Sequence, residues 1–208
     1  AFKTGLAAVP SWNVVEFVTD VFYWFKNFPS RQEDYQSLCA AIADEHITAT
    51  FMRFVENRWL SIGPVIDRVV QNFGNLRDYF LKKGKFDTKT KENAPFKRIC
   101  GHLQANKTTL VRLAFVRSIS TDFERFLTLF QSTQPLIHLL YDEMTELLRT
   151  LLMRFVKPEL IKGKQASELL KVCHELLKAD NYLPADSINV GAHASKLLKE
   201  MKADNGLY

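Results

Sequence analysis

Two short stretches of the sequence hold the residue types best suited to binding another molecule. The first is the neighbouring pair Arg58 and Trp59. An indole can stack on an unpaired nucleobase, typically worth about 1–3 kcal/mol per base, and a guanidinium can hold a phosphate through two parallel hydrogen bonds. The alternative is that Trp59 is a core residue that fixes the start of the following helix. The sequence leaves both interpretations open.

The second stretch is basic and runs from residue 82 to residue 98. It contains seven basic residues and two acids, so its formal charge of +5 equals that of the whole chain. Such a stretch can contact a nucleic-acid backbone without reading bases, or it can be a solvated loop. The basic residues are Lys82, Lys83, Lys85, Lys89, Lys91, Lys97 and Arg98.

Residues that could perform catalysis or bind a metal are scattered along the sequence. The five histidines lie in separate segments, and none has a second His or Cys at a ligand spacing. His174 precedes Glu175, but the His-Glu-x-x-His zinc motif needs a second histidine one helical turn later. We therefore expect no catalytic residue, no metal and no cofactor, and predict that the chain is not an enzyme.

The cysteines predict an intracellular protein with reduced thiols. Cys39, Cys100 and Cys173 are far apart and odd in number, which argues against a disulfide framework or a zinc site. No apolar run approaches the roughly 18 residues of a membrane-spanning helix. We therefore expect no membrane association.

The elements that position these residues are predicted to be helices. Apolar residues recur at helical spacing, and no alternating strand pattern is found. Only 8 Gly and 7 Pro occur among 208 residues, which argues against a turn-rich all-β protein. We expect an irregular all-α fold of about seven to nine helices. The predicted helices span about 12–27, 30–43, 62–73, 95–105, 108–131, 135–155, 166–178 and 192–203.

Several boundaries rest on specific residues. Ser30 with Glu33 matches a capping box, Ser61 suits an N-cap, and Gly74 can end the helix that follows Ser61. The helix at 135–155 is apolar enough to be buried on more than one side. Residues 1–81 are predicted to form an N-terminal helical part and 96–208 a C-terminal one. These two parts are expected to form one continuous domain, with 82–95 as a basic linker or loop between them.

Three groups of motifs resemble those of the hAT superfamily of cut-and-paste transposases and their domesticated relatives. The first reads Asn-Arg-Trp-Leu-Ser at 57–61 and closes with Leu-Arg-Asp-Tyr-Phe at 76–80. The second ends with Arg-Phe-Val-Lys-Pro at 154–158, and the third is the opening Ala-Phe-Lys-Thr-Gly-Leu at 1–6. Asn57 departs from the family, which usually has Thr there. The motifs occur in the family's order over most of the chain.

The resemblance implies that the chain is the helical insertion of a ribonuclease-H-like transposase. In that family, two catalytic acids precede the Arg-Trp segment and a third follows the insertion. The chain would therefore be a non-catalytic fragment. The family's Trp in this motif is associated with stabilising a flipped base, which implies DNA as the partner of Arg58 and Trp59. A nuclear location follows from the same resemblance.

Three functions remain open from the sequence. The first is a nucleic-acid-associated fragment of a domesticated transposon that binds DNA weakly through its backbone. The second is a helical protein-interaction scaffold, with a protein partner or with self-association. The third is part of an active DNA transposase whose catalytic acids lie outside this chain.

Overall fold

The described part of the chain consists mainly of helices. Ten α-helices lie in the described residues, which contain no β-strand, so the predicted all-α fold is confirmed. The computed structural model describes residues 12–41, 50–55, 61–131, 136–171 and 178–204. The helices are α1 (Val14–Lys26), α2 (Pro29–Ala41), α3 (Ile62–Gln71), α4 (Phe73–Arg77), α5 (Thr88–Glu92), α6 (Ala94–Gln104), α7 (Lys107–Phe130), α8 (Leu140–Met153), α9 (Ala166–Lys171) and α10 (Ala192–Asp204).

The junction of α1 and α2 lies one residue earlier than predicted. Helix α1 ends at Lys26, and α2 begins at Pro29. The fixed φ of proline suits the first turn of a helix, where its missing N–H costs nothing. Ser30 therefore lies inside α2 instead of capping it, and the predicted capping box is wrong.

The helix after Ser61 is interrupted earlier than predicted. Ser61 occupies the N-cap of α3, as predicted, but its hydroxyl exchanges hydrogen bonds with the backbone of Val55 at 3.2 Å. Helix α3 ends at Gln71, and both the backbone N–H and the side-chain amide of Asn72 donate to the carbonyl oxygen of Arg68, at 3.2 and 2.9 Å. Gly74 lies within α4 and does not end a helix. A π-helical turn, Asp78–Lys83, follows α4 directly.

Aromatic rings form the centre of the main core. Neighbouring ring centroids in this aromatic cluster are 4.9–6.2 Å apart. The rings come from α1, α2, the π-helical turn, α6 and two segments outside the helices, so the cluster joins distant parts of the chain. Its members are Trp24, Phe25, Tyr35, Phe51, Tyr79, Phe80, Phe86 and Phe96.

A second, smaller core lies in the C-terminal part. Its fully or nearly buried residues are Leu152, Val156, Ile161 and Leu169. Helix α10 packs along α7, where Ala194 is fully buried. Gly191 precedes α10 with a φ of 91°, and a Cβ there would collide with the side chain of Ser118 on α7. This close approach is one that glycine alone permits.

Helix α8 is much less buried than predicted. It begins at Leu140, after a 3-10 turn, and buries only Thr145 and Leu152 among its residues. Tyr141 and Met144 are each 54% exposed, so the predicted burial on more than one side is wrong. In the described part of the chain, α8 is covered mainly by α7 and α9. The apolar residues in the C-terminal half of α7 are only partly buried.

Protonation of His102 is expected to make the stability of the fold depend on pH. Its imidazole lies 4.7 Å from the ring of Phe17, and burial lowers its pKa, helped by the charge of Arg112. A depressed pKa means that stability is present above the unfolded-state pKa of about 6.5 and is lost as the pH falls through the folded-state pKa. We expect acidification from about pH 7.5 to about 5.5 to destabilise the wild type more than His102→Gln. Urea melts at both pH values test this, and equal losses would contradict it.

Candidate nucleic-acid interface

The basic stretch is a folded part of the domain and only in part the predicted linker. Residues 84–87 form a loop, but the π-helical turn precedes it and α5 follows it. Asp87 caps α5 by accepting a hydrogen bond from the backbone N–H of Thr90 at 2.8 Å. Phe86 and Phe96 anchor the stretch in the aromatic cluster. The burial of Phe96 follows from the apolar face of α6, whereas Phe86 is isolated in the loop, gives no periodic signal and was not predicted.

The predicted lysines all lie on the surface of this stretch. Lys82 is within 2.8 Å of the Asp78 carboxylate, one turn earlier in the π-helical turn. The other five have no ion-pair partner in the described part of the chain, so their charge is available to a partner. We call the six together the basic surface: Lys82, Lys83, Lys85, Lys89, Lys91 and Lys97.

Arg98 differs from the other predicted binding residues. Its Nε donates to Asp20 Oδ2 at 2.7 Å and its Nη2 donates to Asp20 Oδ1 at 3.0 Å, while Glu16 lies 3.1 Å from Nε. The hydrogen bond to Asp20 raises the pKa of the Arg98 guanidinium. Arg98 thus joins α6 to α1, and we remove it from the candidate interface.

Arg58 and Trp59 lie outside the described residues. The nearest described residues on either side are Val55 and Ser61, which are hydrogen-bonded to each other. The predicted role of the Arg-Trp pair therefore remains a prediction.

Two residues beside the basic surface were not predicted. Phe28, between α1 and α2, is 49% exposed, and Arg31 lies over its ring. The charge of Arg31 acts on the carboxylate of Asp87, the residue that caps α5. An apolar residue immediately before Pro29 was the available signal, but it indicates a helix junction as readily as a binding residue.

No catalytic arrangement was identified in the described residues. They contain no group of three or more His, Cys, Asp or Glu side chains placed to hold a metal ion. A cleft between α7 and α8 contains Asp122, whose carboxylate pairs with Arg154 at 2.7 Å. Burial raises the pKa of the Cys100 thiol to about 11, which keeps it in the unreactive thiol form. Cys39 is buried, and Cys173 lies outside the described residues.

The lysines of residues 82–97 were predicted from the sequence as binding residues, and the structure places them on the surface. Their amines are therefore the main candidate for contact with another molecule.

Of the helices that the structure describes, none combines the length and the apolar character needed to cross a bilayer.

Comparison with known proteins adds no relative. The sequence matches no protein-family model, no curated protein and no solved structure.

Proposed function

We propose that this chain is a non-catalytic helical part of a hAT-like, transposase-derived nuclear protein, and that it associates with DNA through the basic surface. The observation that carries the proposal is the set of lysines on one folded segment. Five of them have no acidic partner within the described residues. Amines placed in this way attract a phosphate backbone by charge alone.

The physical basis is the release of counterions from DNA. Each phosphate that a lysine neutralises contributes about −0.9 to the slope of log affinity against log salt on duplex DNA. Lysine is a flexible point charge, unlike the planar fork of arginine that reads base edges. Binding through this surface is therefore weak, independent of base sequence and strongly dependent on salt.

Replacing the five unpaired lysines of the basic surface with glutamine tests the proposal. The slope of log affinity against log salt should shrink by up to about 4.5, five contacts at about 0.9 each. Fluorescence anisotropy with a labelled duplex at several salt concentrations measures it. The five lysines to be replaced are Lys83, Lys85, Lys89, Lys91 and Lys97.

A charge-matched variant provides the control for this experiment. It replaces five exposed lysines outside the basic surface, so its net charge falls equally, and its salt slope should stay near that of the wild type. An equal decrease of the salt slope in both variants would show that the effect depends only on net charge. No binding by the wild type at low salt would overturn the proposal. The control lysines are Lys162, Lys171, Lys178, Lys196 and Lys199.

A protein-interaction scaffold is the second candidate function. The observation that favours it is the exposed apolar surface where α8 begins, with Ile137 74% exposed and Tyr141 and Met144 each 54% exposed. Exposed apolar groups clustered in this way are typical of surfaces that bind a protein. This candidate predicts concentration-dependent self-association or partner capture without DNA, and sedimentation velocity over a range of concentrations tests the first.

The third possibility places catalysis elsewhere in a longer protein. Asp20, Asp67 and Glu124 lie on helices and pair with Arg98 or Arg117. Carboxylates that form such ion pairs contribute to folding, and we therefore assign them no catalytic role. Acids encoded by the flanking gene sequence would support an active transposase.

A further inference from the structure

An aromatic–guanidinium stack stands at the junction of α1 and α2. The Cζ atom of Arg31 lies 3.7 Å from the centroid of the Trp24 ring and 3.8 Å from that of Phe28. The guanidinium therefore lies between the two rings. Arginine is well suited to this position, because its planar cation stacks on aromatic faces.

The backbone of Phe28 is held in place by hydrogen bonds on both sides. Its backbone N–H donates to the carbonyl oxygen of Phe25 at 3.4 Å, and its own carbonyl accepts from the N–H of Arg31 at 3.0 Å. Trp24, at the base of the stack, is only 4% exposed. An aromatic ring with few remaining degrees of freedom loses little entropy when a ligand stacks on it.

Phe28 is nevertheless unlike the core aromatic residues around it. Its side chain is 49% exposed, whereas Trp24 and Phe25 are 4% and 3% exposed. Arg31 covers one side of the ring, and the rest of the exposed ring is open to solvent. Single exposed apolar residues are common on protein surfaces, so it is the stack with Arg31, and not the exposure alone, that distinguishes Phe28.

The stack adjoins the basic surface. The carbonyl oxygen of Arg31 accepts a hydrogen bond from Tyr79 in the π-helical turn at 3.4 Å. The guanidinium of Arg31 interacts electrostatically with Asp87, which caps the helix that carries Lys89 and Lys91. Arg31, which lies over the ring of Phe28, is thus linked to the folded segment that carries the lysines.

We infer that Phe28 is a stacking platform for an unpaired base of single-stranded DNA whose phosphates lie along the basic surface. This inference rests on the proposed DNA-binding function and specifies its substrate. Proteins that bind single strands without sequence preference combine a positive surface for the backbone with aromatic rings for the bases. In a duplex, each base is covered by its neighbours, so Phe28 contributes only where a base is unpaired.

The test compares Phe28→Leu with the wild type on two labelled DNA forms. Leucine keeps an apolar side chain at the junction but removes the flat ring. We expect binding to a single-stranded oligothymidine to weaken by about 5- to 150-fold, which corresponds to loss of one stacked base. Binding to a blunt duplex should stay within about twofold, and Phe28→Trp should retain the single-strand affinity.

A second exposed aromatic residue provides the control. Tyr141 on α8 is 54% exposed and lies outside the stack, so Tyr141→Leu should bind both DNA forms like the wild type. Unchanged single-strand affinity in Phe28→Leu would overturn the stacking inference alone. Equal losses of affinity on both DNA forms, with a lowered melting temperature, would show that Phe28 acts in folding. That result would also overturn the stacking inference. No binding of the wild type to either form would overturn the proposed function as well.

Discussion

Phe25→Ala is expected to lower the free energy of unfolding by about 3–5 kcal/mol, the usual cost of removing a buried aromatic ring from a core. Phe25 is 3% exposed, so the truncated side chain would leave a cavity. Its ring centroid lies 4.9–6.2 Å from those of Tyr35, Phe51, Tyr79 and Phe80. These four rings come from three separate segments and cannot all move to fill the space.

Equilibrium urea denaturation followed by circular dichroism measures this loss. Leu140→Ala is the matched control, because Leu140 is only partly buried and lies on α8, away from the aromatic cluster. We expect the control to cost well under the roughly 2–5 kcal/mol of a fully buried leucine. A loss below about 1 kcal/mol for Phe25→Ala would show that the cluster is not the centre of the core.

The aromatic cluster also determines where the candidate interface lies. Phe86 and Phe96 bury their rings in it, and this fixes the loop and helix that present the lysines between them. Trp24 belongs to the same cluster and forms the base of the stack that holds Phe28. Stability of the core and geometry of the proposed binding surface are therefore coupled. Variants at the interface need a melting temperature measured beside their affinity.

The sequence predicted the helices whose apolar stripes are strong. Helices α1, α6 and α7 lie within two residues of their predicted limits, and α1 and α6 each bury one apolar face. Phe96, Ile99 and Leu103 in α6 are an example, and all three are buried. Interruptions were harder to predict, since no apolar pattern marks the short break at Asn72 between α3 and α4.

The features that were predicted wrongly depend on tertiary packing, which local sequence patterns do not contain. Helix α8 has the apolar content of a central helix but lies at one side of the described structure, so its composition overstated its burial. Lysines are almost always exposed, and this general preference was enough to place six of the seven predicted basic residues on the surface. The seventh, Arg98, pairs with Asp20 at a sequence separation of 78, a contact that local patterns do not contain.

Two of the motifs that resemble hAT transposases are made of residues that build the fold. Leu76, Tyr79 and Phe80 are all buried in the main core. In the motif at 154–158, Val156 is fully buried and Lys157 donates through its Nζ to the carbonyl oxygen of Asp180 at 2.7 Å. The described residues of both motifs named here therefore contribute to packing.

Replacing Arg154, the first residue of the motif at 154–158, is expected to cause the second large loss of stability. Its Nε and Nη2 reach Asp122 at 2.9 and 2.7 Å, and its Nη1 and Nη2 donate to the Oγ and the carbonyl oxygen of Ser118, each at 3.1 Å. It also donates to the carbonyl oxygen of Asn189 at 3.3 Å. One guanidinium thus joins α7, the end of α8 and the segment before α10. The Arg154 and Asp122 side chains are 11% and 18% exposed.

Arg154→Met is expected to destabilise the protein by about 3 kcal/mol, because removing one partner leaves a largely buried carboxylate without its counter-charge. Arg149→Met is the control on the same helix. Its partner Glu146 is 52% exposed, so we expect a loss of at most about 1 kcal/mol. Urea denaturation of both variants measures the difference.

A second replacement separates the two contributions of Arg154. In the double variant Asp122→Leu, Arg154→Met, no charge remains to be desolvated, so much of the lost stability should return. If the double variant were as unstable as Arg154→Met alone, the stranded carboxylate would not be the cause. The hydrogen bonds to Ser118 and Asn189 would then be the main link between α7, α8 and the segment before α10.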